Sequence, residues 1–160
     1  MFLEVVMEPW SRRLFYTGAT LIGLVGVAHL LMFHSPLTGP LPAGERAVAD
    51  LAAVTASPMF ENGRQVTVRD FNDGTSAEMG MLAVMFAVAV VVAVREAPGL
   101  LRRWSPFSLV CTAVSGFSVW LSVAYFPEPI IVFTVMSAVC FGLVLAAPFR
   151  PAALRSASYR

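Results

Sequence analysis

Apolar residues in this chain fall into four blocks, Leu14 to Phe33, Met79 to Val94, Pro106 to Phe126 and Ile130 to Ala147, separated by segments rich in charge, proline and glycine. Each block is close to the roughly 20 residues that an α-helix needs to cross about 30 Å of hydrocarbon. The second reaches that length if its helix begins at Thr75 or Ser76, so the spans are read as about 14–33, 76–94, 106–126 and 130–147. The pattern predicts an all-α polytopic membrane protein: a single domain over 1–160, built as a four-transmembrane-helix bundle with a long outer loop, 34–74, between helices 1 and 2. Arg12 and Arg13 precede the first block like the basic region of a signal peptide, but its length and the following "HLLMFHSPLTGP" favour a retained span.

Shorter patterns lie between the spans. In the loop, "AGERAVADLAAVTAS" (43–57) places Val48, Leu51 and Val54 on one helical face, with Glu45, Arg46 and Asp50 largely elsewhere. "RQVTVRDF" alternates Val66, Val68 and Asp70 but is too short to be a stable strand alone. "REAPGLLRRWSP" reads as a turn broken by Pro98 and Gly99, with Trp104 as an interface anchor. "PEP", 127–129, forces helices 3 and 4 into a tight hairpin. Small residues stripe the spans: Ser108, Thr112, Ser115 and Ser122 in the third, Ala138, Gly142 and Ala146 in the fourth, Ala19 and Gly23 in the first. Such stripes let membrane helices approach closely, within one bundle or between copies.

Composition agrees with the span pattern: 58% of residues are hydrophobic and only 13% charged, against about 25% charged in soluble domains. Every basic residue is Arg, and the absence of Lys beside abundant Ala and Val suggests a GC-rich bacterial genome. Arginines concentrate at the two termini and the 95–103 turn, whereas Glu45, Asp50, Glu61, Asp70, Asp73, Glu78 and Glu128 crowd the other side. By the positive-inside rule both termini are cytoplasmic, in a multi-pass plasma (inner) membrane protein.

Candidate chemistry centres on "RDFNDGTSAEMGMLAVMF", 69–86. Thr75-Ser76-Ala77-Glu78 matches the S/T-x-x-E capping box, and Asn72-Asp73-Gly74 an ordinary turn before a helix. The alternative makes Glu78 a working carboxylate partnered by His29, which lies about four residues, or roughly 6 Å, inside the outer end of the first span. An outer-face polar cluster would then gather His29, His34, Asp70, Asp73, Glu78 and Glu128, able to relay a proton or hold a cation. No H-E-x-x-H, H-x-x-x-H or Glu-x-x-His spacing supports a metal, so none is assigned and the cofactor is unknown. Trp120, Met81, Met85 and Phe117 are candidates to line a pocket for a quinone, isoprenoid or lipid; aromatics at the span ends also fit interface belts.

Several classes are disfavoured. No span carries a mid-membrane acid of the kind that marks a proton-coupled exporter. Two histidines five residues apart on one helix do not face the same way as haem ligands. Cys111 and Cys140 fall at different depths and form no C-x-x-C, which disfavours a disulfide or thiol oxidoreductase. Phosphate loops and basic nucleic-acid surfaces are absent.

The run "RRLFYTGATLIGLVGVAHLLMF", then an outer loop, "GTSAEMGMLAVMFAVAVVVAV" and a tight helical hairpin, resembles the small four-span bacterial membrane proteins grouped as DoxX-like. The matching features are an arginine-led first span with spaced Gly and a His near its end, then a Gly and Met start to the second. The resemblance covers most of the chain, is architectural, and carries over no catalytic residue; the long acidic loop departs from it. The function expected is a non-enzymatic accessory or scaffold subunit, or a binder of a small lipophilic molecule. Its partners would be the lipid bilayer and a homo-oligomer or larger membrane complex, with no nucleic acid. The alternative is a membrane enzyme or redox accessory protein using an outer-face His29/Glu78 site.

Overall fold

The computed structural model describes residues 9–35, 39–57, 64–101 and 104–146. Five α-helices account for most of them: α1 Pro9–His34, α2 Ala43–Val54, α3 Val68–Glu96, α4 Pro106–Tyr125 and α5 Glu128–Ala146. All but α2 are long and apolar enough to cross a membrane, and no β-strand occurs among the described residues. The all-α class and the four spans match the sequence pattern. The chain divides into two compact units, one of Met1–Val25 with Met85–Arg160, the other Gly26–Val84.

In the first unit, aromatic rings from α1, α3, α4 and α5 meet. Phe15 and Phe141 are fully buried and pack edge to face with centroids 4.7 Å apart. Phe107 stacks on Phe15 at 5.7 Å, and Phe86 meets Phe141 at 6.4 Å. Val90, Val94 and Val144 complete this core. Lipid provides no hydrophobic drive between helices, so close approach and internal hydrogen bonds hold such a bundle. The α4 stripe supplies both: Ser108, Cys111, Ser115 and Ser122 are the buried face of that helix. Two of its hydroxyls are satisfied within the helix, Ser115 donating to Cys111 O at 2.8 Å and Ser122 to Ser118 O at 2.8 Å. In α5 the residues buried inside the bundle are Thr134, Ser137, Cys140, Phe141 and Val144, while Ala138 and Gly142 of the small-residue stripe are half-buried and Ala146 is exposed. A Cβ on Gly142 would meet nothing within 4 Å. Ser137 donates across to Gly18 O of α1 at 2.8 Å, where the missing Cβ of Gly18 makes room for Cys140 and Phe141. Cys111 and Cys140 are both free and buried.

The α4–α5 connection is as tight as "PEP" implies, with α4 ending at Tyr125 and α5 starting at Glu128. Before α4, Pro98–Leu100 form one 3₁₀ turn and Trp104 adopts φ 56°, a left-handed conformation uncommon for a bulky residue. Ser105 then caps α4: its Oγ accepts from Ser108 N–H at 3.0 Å and donates to Leu100 O at 2.6 Å. Pro106 takes the first helical position, where no N–H is needed.

The Gly26–Val84 unit holds the last turns of α1, all of α2 and the first half of α3. The α3 helix begins at Val68, not at Thr75 or Ser76, so "RDFNDGT" is helical rather than loop and turn, and Gly74 has no positive φ. Thr67 and Asp70 form the real capping box. Asp70 N–H donates to Thr67 Oγ1 at 3.1 Å, and Thr67 N–H donates back to Asp70 Oδ2 at 3.2 Å, two otherwise orphaned donors satisfied reciprocally. Thr75 instead donates its hydroxyl to Phe71 O one turn back, at 2.8 Å. Just before the cap, Ser57 N–H donates to Val66 O and Val68 N–H to Thr55 O, closing a single antiparallel bridge between Ala56 and Thr67. The alternating "RQVTV" thus forms a bridge and no strand. At 29 residues α3 is about 43 Å long, well over the about 30 Å hydrocarbon thickness, so its polar first turns extend past that thickness or the helix tilts.

The predicted α2 helix is present over Ala43–Val54. Its inward side is the half-buried Ala49, Ala52 and Ala53. Its apolar stripe faces away from the rest of the unit, with Val48 69%, Leu51 67% and Val54 80% exposed.

Candidate functional site

The α1–α3 contact in the Gly26–Val84 unit is built from missing side chains. A Cβ on Gly26 would stand 2.7 Å from Gly80 O and 2.9 Å from Ala83 Cβ. A Cβ on Gly80 would stand 2.9 Å from Leu30 and 3.2 Å from His29 Cδ2. On α3, Ser76, Gly80 and Ala83 follow one another at four and three residues, a small-residue stripe on one helical face. That stripe carries Ser76 to the histidines of α1.

His29 Nε2 lies 2.8 Å from Ser76 Oγ, and His34 Nε2 lies 3.1 Å from the same atom. The two imidazoles sit 6.0 Å apart, centroid to centroid, and Phe33 packs against His29 at 4.9 Å. A serine hydroxyl has one proton to give, so with both rings neutral it donates to one Nε2 and accepts from the other, whose tautomers are then opposite. His29 and Ser76 are half-buried and His34 is exposed. The five-residue spacing sets the two histidines about 140° apart around α1, yet both reach Ser76, because it stands between them and an imidazole extends well beyond the helix backbone.

The other residues singled out from the sequence do other things. Asp70 is committed to the Thr67 cap. Asp73 pairs with Arg69 one turn back, at 3.6 Å on an exposed face, where such pairs contribute little. Glu78 is exposed and two residues past Ser76, about 200° around the helix, so Ser76 rather than Glu78 meets His29. Glu78 is also not a capping residue, since α3 is already in its third turn there. Glu128 belongs to the first unit, exposed in the opening turn of α5. Phe117 and Trp120 touch, with centroids 5.3 Å apart, and are 58% and 60% exposed; Met81 and Met85 are exposed too.

Ser76 is a functional candidate that the sequence pattern presents only as a possible start of the second span and as part of a capping motif. Its register with Gly80 and Ala83 was the available signal. Among the described residues no group of three or more His, Cys, Asp or Glu side chains gathers as a cation site. Comparison with family models, curated proteins and solved structures returns no match.

Proposed function

We propose that this chain is a non-enzymatic accessory or scaffold subunit of the plasma membrane, with both termini cytoplasmic and the 34–74 segment on the outer side. The observation that carries this reading is the apolar face of α2. Val48, Leu51 and Val54 are turned away from their own unit and exposed, while the helix rests on small alanines. Orienting an amphipathic helix that way costs free energy in water, roughly 25 cal/mol per Å² of apolar surface left wet, unless another apolar surface covers it. Helices competent to span the bilayer flank α2 on both sides, so a membrane-embedded partner or a second copy is within reach. The arginine-rich termini and 95–103 turn support the orientation. The DoxX-like likeness belongs to the same proposal and adds architecture only.

Binding of a small lipophilic molecule is the second reading. It is favoured by the exposed Phe117–Trp120 pair, whose ring planes are tilted by 35°, an aromatic surface open to a quinone or isoprenoid. Native mass spectrometry of the protein released gently from its own membrane separates the two. A retained protein partner or defined homo-oligomer is expected. A bare monomer carrying a stoichiometric lipophile would replace the first reading with the second, and a bare monomer with nothing bound would defeat both.

A further inference from the structure

We propose that His29 and His34 bind one divalent transition-metal ion of the zinc class, between the last turns of α1 and the Ser76 turn of α3. The basis is convergence. Both Nε2 atoms approach a single point, the Ser76 oxygen, at 2.8 and 3.1 Å. An ion held by two imidazoles at about 2.0–2.1 Å with tetrahedral angles requires ring centroids roughly 5 Å apart; here they are 6.0 Å apart. Closing that gap takes about 1 Å of side-chain motion, within the rotamer freedom of the exposed His34.

The surroundings fit an exchangeable site. Imidazole suits zinc, copper and nickel, and the exposed His34 leaves the site open to solvent. Two imidazoles fill half of a four-coordinate shell. The Ser76 hydroxyl or water completes it, so positions stay open, unlike the closed shells of structural zinc. The ring of His29 is held in place by Phe33 on one side and admitted by the absent Cβ of Gly80 on another. With the Ser76 oxygen as a ligand the metal ties α1 to α3 in place of the serine-bridged hydrogen bonds; with water in that position both protein ligands belong to α1. This inference does not depend on the accessory-subunit reading.

The test uses the full chain in lipid nanodiscs, stripped with chelator and titrated with Zn²⁺ by calorimetry. One ion per chain is expected. His29→Gln or His34→Gln should weaken binding roughly tenfold or more, and the double variant should abolish it, because each removes one of the two strong ligands. Ser76→Ala should stay within about threefold, since a neutral hydroxyl is a weak ligand for these ions. Binding to wild type no tighter than to the double variant overturns the proposal. Cu²⁺ spectra of the unaltered chain provide a readout that needs no variant to fold. Hyperfine splitting from two nitrogens is expected, and a signal from one nitrogen or from oxygens alone overturns it.

Discussion

At Gly26 the backbone of one helix touches the backbone of another, and a single methyl has no place to go. The nearest atom to an added Cβ is Gly80 O at 2.7 Å, which cannot swing aside as a flexible side chain would. Gly26→Ala is expected to destabilise the protein by about 1–3 kcal/mol, the usual cost of overpacking. Gly142→Ala, with nothing within 4 Å, should stay within about 0.5 kcal/mol. Thermal unfolding of both variants in the same detergent checks the contrast. Thr67 and Thr75 make a second informative pair. Thr67→Ala removes the cap of α3 and should cost about 1 kcal/mol, read as faster hydrogen exchange in the Val68–Phe71 amides. Thr75→Ala should leave those amides unchanged, because its hydroxyl only returns to Phe71 O. The sequence contains two matches to the same local rule, T-x-x-D at 67 and T-x-x-E at 75. The second lies nearer the hydrophobic run. What favours the first is not local: the bridge between Ala56 and Thr67 delivers the chain to Val68, and the contact of Ser76 and Gly80 with α1 rewards keeping 68–78 helical.

Among the helices, α2 separates pattern from placement. Its amphipathic spacing was legible, and so were its limits to within three residues. Which face it would bury was not. The ordinary expectation turns Val48 and Leu51 inward, whereas the unit accepts the alanine side and leaves the larger residues out. Leu51→Glu therefore tests the covering surface without touching the interior of the unit. It should leave the thermal midpoint of the isolated protein unchanged within about 0.5 kcal/mol, as for an exposed site, while stripping the retained partner or second copy from the native mass spectrum. The α4 and α5 stripes show the same division. Serine spacing correctly identified the buried face of α4. In α5 the Ala-Gly-Ala repeat was the most regular small-residue pattern and still lost to a face carrying Phe141, since that ring fills the space among four helices better than three small residues would.

For the whole molecule, four long apolar helices follow from composition and block length, and their presence needs no tertiary argument. Orientation is the quantity to measure. In intact cells, a membrane-impermeant maleimide should label Gly44→Cys, on exposed α2, and should label Gly99→Cys, in the turn before α4, only after permeabilisation. The reverse pattern would invert the arginine argument and move the histidine pair to the cytoplasmic side.

Sequence alone determined the all-α class, the four spans, the α2 helix and the tight α4–α5 hairpin, because each is set by hydrophobic length, periodicity or proline within a short window. Tertiary structure decided where α3 begins, which face of α2 and α5 is covered, and which polar group His29 meets. Those outcomes depend on which surfaces can approach closely. The decisive contacts join Gly26 and His29 of α1 to Gly80 and Ser76 of α3, segments far apart in the chain, where no local pattern relates one helix to the other.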